Sequence, residues 1–289
     1  MTTLNEAELS AVHVAIDKFG TILSMYDISL DIQHDFSSYV AIRHDHGDLH
    51  LNQAFDPAYA SIGKQDFWLR ARNRRGEVIA TYCVRWFNID NFYRLIRSQA
   101  LWFSAGPGPI GRALAFECDI PPFGGEITHG GGLWVRPDWR GSSRLAYVLP
   151  RVARALSLSE RPFDHDTGMI RNDPRDSLKA AERKAAFASL RVYGFARVSQ
   201  FVNGWFPPEG RNAIMHLCHA TKTEAIASLS TVAVTTRIDG ADCGHSSPIL
   251  RSSTNSLQPH NRDTGVLQWP ARPEGMNNAA LTCGAQPSL

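Results

Sequence analysis

The sequence predicts an α/β fold: a mixed, mainly antiparallel central sheet flanked by helices, followed by a disordered C-terminal tail. Three observations predict it. Two apolar runs, 66–72 and 77–87, are joined by Asn73-Arg-Arg-Gly76, the pattern of an antiparallel hairpin. A strand-like run ending at Val135 meets Pro137 and then a helical pattern over 145–158, so strand gives way to helix within one turn. Beyond about Ser230, polar and small residues dominate and apolar ones stand alone, as at Ile249, Leu257, Leu267 and Trp269. Such a segment buries too little apolar area to offset a backbone ordering cost of about 1–2 kcal/mol per residue.

The elements follow in order. From Asn5 to Leu23, the positions Leu9, Val12, Ala15 and Ile16 recur at helical spacing. The stretch 27–60 is mixed, with alternating segments such as Tyr39-Val-Ala-Ile42 and a histidine-bearing turn. The hairpin comes next, then a helical pattern over 91–102 carried by Phe92, Leu95, Ile96 and Leu101. Two loops rich in Gly and Pro, 106–109 and 121–125, separate it from a strand over 127–135 that includes the triple glycine 130–132. The helix 145–158, a short strand 167–170, an Ala- and Lys-rich helix 177–192, a hairpin of 196–206 with 212–218, and a helix 221–229 complete the pattern. We therefore expect an N-terminal helical and irregular extension over 1–60 packing on the domain, a domain over 61–230, and the tail over 231–289.

Composition narrows the function classes. Hydrophobic residues make up 43% of the 289 and charged residues 20%, ordinary for a globular protein with a real core. A net charge of +2 gives no reason to expect nucleic acid or a membrane surface as partner. The cysteines at 83, 118, 218, 243 and 283 contain no CxxC pair, so neither a zinc ribbon nor a disulfide framework is expected. The start lacks the basic, then apolar, character of a signal peptide, which makes a cytoplasmic location the default expectation.

The chemistry concentrates in Gly131-Gly-Leu-Trp-Val-Arg-Pro-Asp-Trp-Arg-Gly-Ser-Ser-Arg-Leu-Ala146. A strand ends there and a polar turn leads into a helix. A helix start leaves about four backbone N–H groups without internal partners and carries the positive end of the helix dipole, a geometry that binds phosphate. Arg140 and Arg144 add charge, and Ser142 and Ser143 add hydroxyl donors. An ordinary strand–turn–helix with surface arginines explains the same residues.

This run resembles motif A of the GNAT superfamily of acetyl-CoA-dependent N-acyltransferases, on Val135, Pro137, Arg140 and Gly141. Ser143 or Arg144 stands where that motif has its second glycine, and Ala146 takes its final small position. The hairpin 66–87, the strand at Met169-Ile170 followed by Asn172, and the helix ending Val192-Tyr-Gly-Phe195 are similar to family elements in the same order, across roughly residues 20–230. The resemblance implies acyl transfer from acetyl-CoA, as co-substrate, to an amine of a small-molecule or peptide acceptor by direct attack. It implies that Arg140, Gly141, Ser142, Ser143, Arg144, Leu145 and Ala146 hold the pyrophosphate, that Leu133, Trp134 and Val135 hold the pantetheine, and that Asn172 adds a contact. It further implies that the strand of Leu133 to Val135 splays from its neighbour, and that a backbone N–H there polarises the thioester carbonyl.

An amine is mostly protonated at neutral pH, so a base or a water chain must take its proton. His129, on the strand ending at Val135, and Glu126, at its start, are the candidate bases; Tyr193 is the candidate acid for the departing thiolate. Each has a plainer reading, as core histidine, solvated strand end and packing tyrosine. A catalytically silent acyl-CoA-binding or regulatory module is the alternative function, and an enzyme using an acyl-carrier protein or aminoacyl-tRNA a third.

Two other clusters are weaker. His44-Asp-His-Gly-Asp-Leu-His50 would place His44, His46, Asp48 and His50 on one face of a strand, but lacks any metal-site signature, and no metal is expected. Cys218 and His219 are adjacent on a strand, so they point to opposite faces and make no nucleophile–base pair.

Overall fold

A computed structural model describes residues 3–47, 51–103, 116–117, 120–140, 145–172, 197–198, 214–231 and 266–267. Its centre is a single mixed sheet. The chain enters as helix α1 (Glu6–Ser24), strand β1 (Ser29–Gln33) and helix α2 (Phe36–Asp45). The hairpin of β2 (Phe67–Arg72) and β3 (Val78–Ile89) follows, then α3 (Phe92–Arg97) and the short β4 (Phe116–Glu117). The second half comprises β5 (Gly125–Val135), α4 (Leu145–Glu160), β6 (His165–Asn172), β7 (Arg197–Val198), β8 (Ile214–Thr221), α5 (Lys222–Thr231) and β9 (Val266–Leu267). The strands lie in the order β4-β7-β8-β6-β5-β3-β2-β1-β9. Every pairing is antiparallel except that of β5 with β6.

Local chemistry explains the first elements. Asn5 caps α1: its Oδ1 accepts from the Glu8 N–H at 2.9 Å, while Glu8 Oε2 accepts from the Asn5 N–H at 2.9 Å, a reciprocal capping box. Val12, Ala15, Phe19 and Leu23 form its buried stripe. The alternation at Tyr39–Ile42 is not a strand. Asp35 caps a helix there, accepting from the Ser37 N–H, and Phe36, Tyr39 and Arg43 are buried at spacings of three and four. The helical pattern over 91–102 stops early, because Gln99 adopts a positive φ of 64° just past the C-cap Ser98. Leu101 and Trp102 are nonetheless buried, now in turns.

Pro150 stands sixth in α4 as described, beyond the first turn in which proline is harmless, so the Ala146 carbonyl has no helical donor from it. In that turn Arg151 donates to the Tyr147 carbonyl at 2.7 Å. The helix 177–192 lies outside the described residues. So does the tail, apart from Thr231 and β9, which adds a two-residue edge beside β1 at Leu30 and Asp31. No helix among the described residues is long and apolar enough to cross a membrane.

Both faces of the sheet are covered. α1, α4 and α5 pack on one, through Val12, Phe19, Val148, Val152, Ile226 and Leu229 against Leu69, Ile79 and Tyr82. Helices α2 and α3 and the segment around Phe55 pack on the other, against Trp68, Cys83 and Ile127. The extension over 1–60 thus supplies β1 and α1 to the same sheet and core as the rest.

Buried charge is paired on each face. Arg154 Nε lies 2.6 Å from Asp166 Oδ2, the Thr128 hydroxyl donates to Asp166 Oδ1 at 2.8 Å, and Arg154 also donates to Ser228 Oγ at 3.1 Å. One ion pair therefore joins α4, β5, β6 and α5. On the opposite face Arg85 donates to the carbonyls of Ala54, Ser61 and Leu101 at 2.7–2.9 Å, and pairs with Asp66 at 3.5 Å. Asp66 in turn accepts from the Gly63 and Trp86 N–H groups, each at 2.8 Å.

Arg154→Met keeps most of the volume and leaves Asp166 buried without its cation. Loss of one partner of such a pair costs about 3–5 kcal/mol. Urea denaturation should show a loss of that size; a loss below about 1 kcal/mol would mean that Asp166 finds another partner.

Candidate functional site

The site is an opening in the sheet. β5 and β6 pair in parallel at Ile127–His165, Thr128–Asp166, His129–Thr167 and Gly130–Gly168, and no further. Beyond that point β5 runs on to Val135 against β3, and β6 runs on to Asn172 against β8. The two strands have parted.

The cause lies in β5. Gly131 faces Cys83 and Trp134 faces Thr81, so Gly132 and Leu133 together oppose Tyr82. That is a β-bulge, which bends its strand and raises the local twist. Gly132 takes the left-handed conformation with φ of 61°, which a side chain rarely adopts. The other two glycines answer to packing. A Cβ on Gly130 would stand 2.1 Å from the Tyr82 hydroxyl, and one on Gly131 would stand 2.6 Å from the Phe55 ring. Aromatic side chains from β3 and the segment near Phe55 lie directly on the backbone where the strands divide.

Of the residues expected to hold pantetheine, Leu133 is 39% exposed while Trp134 and Val135 are buried. Trp134 lies beside His46, ring centres 4.6 Å apart, with the Arg43 guanidinium 5.8 Å from its centre. Past β5, Pro137–Trp139 form one turn of 3-10 helix. Arg140 is exposed, and its Nε donates to the Val135 carbonyl at 2.9 Å, so the cation is anchored at the end of the bulged strand. Gly141, Ser142, Ser143 and Arg144 lie outside the described residues. Leu145 begins α4 and packs into the core, and Ala146 is half-buried. Asn172 ends β6 opposite Ile214. Its side chain is outside the described residues, as is Tyr193.

The structure separates the two candidate bases. His129 is 1% exposed, with Nδ1 3.1 Å from the Thr167 hydroxyl and its ring stacked on Phe55 at 6.1 Å. Burial, reinforced by the nearby Arg85 charge, brings its pKa down to about 3, so the imidazole is neutral at physiological pH. It sits beneath the closed end of the opening, inside the aromatic core. Glu126 sits at the far end of β5, bound by both carboxylate oxygens to Arg161 and by Oε1 to Asn88 Nδ2 at 2.8 Å.

Other residues gather where no motif pointed. Helix α2 brings Tyr39 and Arg43 onto the bulge, and β3 brings Thr81 and Tyr82. The i, i+4 spacing of Tyr39 and Arg43 was the available signal, legible only once the segment is read as a helix. His219 Nε2 lies 2.9 Å from His165 Nδ1, with Phe123 against both rings. Burial holds both imidazoles below their ordinary pKa, His219 at about 4, where His165 contributes too. Cys218 points to the opposite face, and burial pushes its thiol up to about 12, which leaves it inert. His44 and His46 end α2 as helix and cap, not as a strand. Among the described residues no group of three or more His, Cys, Asp or Glu is placed to hold a metal ion.

No family model matches the chain, and no curated protein matches its sequence. Solved structures that match it include acetyltransferases. A spermidine N-acetyltransferase from Vibrio cholerae is 9% identical, with 68% of this chain and 95% of that one covered and a TM-score of 0.38. The ribosomal-protein-S5-alanine acetyltransferase from Vibrio fischeri is 12% identical, with 64% and 68% covered and a TM-score of 0.32. Likeness at this level says nothing about what the chain acts on.

The buried His129 makes a pH prediction. Its folded pKa of about 3 lies below the ordinary 6.5, so between these values the unfolded chain binds a proton that the native one refuses. Stability therefore falls as pH drops below about 6.5, by up to about 1.4 kcal/mol per pH unit from this residue. Urea unfolding at pH 7 and pH 5 should show the loss, and His129→Phe should show a shallower one. Equal slopes for the two proteins would mean that His129 titrates normally.

Proposed function

We propose that the chain is an acyltransferase that moves an acetyl group from acetyl-CoA to an amine of a small-molecule or peptide acceptor by direct attack. One observation carries the reading: two parallel strands pair up to Gly130 and Gly168 and then part, the first of them bulged and followed by a turn into a helix. A parted edge leaves peptide groups of residues 131–135 without partners on β6, and backbone polar groups in a protein interior need partners. The amide-bearing arm of a pantetheine is a ligand of matching chemistry. At the mouth, exposed Arg140 and the start of the 16-residue helix α4 suit a diphosphate. In this reading Leu133, Trp134 and Val135 line the arm, Asn172 adds a contact, and Arg140 through Ala146 take the phosphates.

Acetyl-CoA supplies the activated acyl group. The acceptor nitrogen adds to the thioester carbonyl carbon, the C–N bond forms as the C–S bond breaks, and the sulfur leaves with the electron pair of that bond. The nitrogen loses one proton and the sulfur gains one, so the products are an amide and a free thiol. The chain's contribution is to hold the two reactants together and to aim a backbone N–H at the carbonyl oxygen. Buried His129 and ion-paired Glu126 are poorly placed to take the amine proton, which in this reading leaves through water. The same observation favours a second reading, an acyl-CoA-binding module without catalysis.

Calorimetric titration with acetyl-CoA tests the site. The double variant Arg140→Ala, Arg144→Glu should bind roughly tenfold or more weakly, equivalent to about 1.4 kcal/mol. Unchanged affinity would remove the phosphate assignment. Thiol release over a panel of amines then separates the readings: binding with release is the enzyme, and binding without release is the module.

A further inference from the structure

The bulge in β5 is held from outside the sheet. The Gly132 carbonyl accepts from Arg43 Nη1 at 2.8 Å and lies 3.4 Å from both the Tyr39 hydroxyl and the Thr81 hydroxyl. Arg43 also donates to the Tyr39 hydroxyl at 3.0 Å, and its guanidinium lies 5.5 Å from the Tyr39 ring centre and 5.8 Å from that of Trp134. The side chain is buried, 6% exposed. Fixing α2 to the sheet needs only apolar contact, which Phe36 and Tyr39 already supply. Burying a guanidinium is costly unless it makes strong, directed hydrogen bonds. Here one of them goes to the backbone oxygen at the left-handed glycine of the bulge.

A trans peptide is planar, and its C=O and N–H point in opposite directions. Whatever fixes the Gly132 carbonyl therefore fixes the Leu133 N–H, directed away from α2. Leu133 is the exposed apolar residue of β5, 39% accessible in the stretch that β6 has left. We propose that Arg43 is a positioning residue for acyl transfer: by clamping the Gly132 carbonyl, with Tyr39 and Thr81 beside it, it sets the Leu133 amide in the direction that polarises the thioester carbonyl. The inference rests on the acyltransferase reading and adds to it the device that holds the amide still. A bulge with a glycine at its centre is free to rotate that peptide, and the clamp removes the freedom at the point where an oxyanion-type donor must be preorganised. Tyr39 blocks the alternative of a rigid side chain at the same place, because a Cβ on Gly132 would stand 2.6 Å from its hydroxyl.

The test uses the full chain with Arg43→Met and Arg43→Lys, each shown by urea denaturation to be folded at the assay temperature. Hydroxylamine serves as the acceptor, an amine largely neutral at neutral pH that needs no base, and thiol release is corrected for the enzyme-free rate. Arg43→Met should lower the rate at saturating acetyl-CoA by about tenfold to a hundredfold, as expected when an oxyanion donor is misdirected rather than deleted. Its calorimetric affinity for CoA should stay within about twofold, because Arg43 is not among the residues assigned to the phosphates or the pantetheine arm. Arg43→Lys should recover part of the rate. In the ligand-free protein, hydrogen exchange at the Leu133 amide should be faster in Arg43→Met than in the parent.

An unchanged rate in folded Arg43→Met, or rate and affinity falling together, overturns the positioning role. Unchanged exchange at Leu133 overturns the clamp itself. A parent chain that neither binds CoA nor releases thiol removes the acyltransferase reading and the catalytic use of the clamp, while the exchange measurement still decides whether the clamp exists.

Discussion

The interaction on which the rest of this structure turns is the one that β5 gives up. A central strand in a closed sheet satisfies its backbone on both sides. β5 keeps β3 along its whole length and releases β6 after Gly130. The release follows from the bulge at Gly132 and Leu133, and the bulge is tolerated because position 132 is a glycine at positive φ. Peptide groups left without strand partners need others, and the Gly132 and Val135 carbonyls take theirs from Arg43 and Arg140. The opening is therefore a candidate binding site, created first by backbone geometry.

Such an opening would close or slip if the strands around it were free to shift. Two buried ion pairs oppose that. Arg154 and Asp166 sit under α4 and link β5 to β6 just before they part. Arg85 and Asp66, on the other face, gather the loops near Ala54, Ser61 and Leu101 onto β3. Each pair is desolvated, so its net contribution to stability is modest, while its geometric demands are strict. The charges thus act mainly as registers. They hold β3, β5 and β6 in one alignment, and the bulge can then be placed against α2 by Arg43 and Tyr39.

The chemistry of the site fits that division of labour. The imidazoles near the opening have pKa values lowered by burial, and the Glu126 carboxylate is bound to Arg161. Among the described residues, the end of β5 beside the opening offers backbone, exposed Leu133, buried Trp134 and Arg140 anchored to Val135. The proposed reaction between an activated acyl donor and an amine asks for little more, since proximity and one well-aimed amide account for much of the acceleration. The aromatic residues do structural work here: Phe55 and Tyr82 occupy the space that glycine leaves, and so fix where the strands divide.

Periodicity and turn residues alone were enough for most elements. Apolar runs joined by a Gly-containing turn marked β2 and β3, the spacing of three and four marked α1, and Pro137 after Val135 marked the strand-to-helix turn, because these patterns depend on local chain geometry. The segment at Tyr39 misled, since alternating apolar residues and a short helix look alike over a few positions; the Asp35 cap and the burial of Phe36, Tyr39 and Arg43 settled it as helix. The helix at Phe92 ran long in the sequence because nothing local showed that Gln99 would turn left-handed. At the site, the run from Gly131 to Ala146 was legible as a place for chemistry. Which of its neighbours take part was not. Whether His129 meets solvent or Phe55, whether Glu126 is free or held by Arg161, and that Arg43 reaches Gly132 across 89 positions of chain are decided by which elements pack together. The sequence alone determined the strand, the turn and the glycines, which answer to local sterics; tertiary structure decided burial, charge partners and the grip on the bulge, because those are properties of contacts between distant parts of the chain.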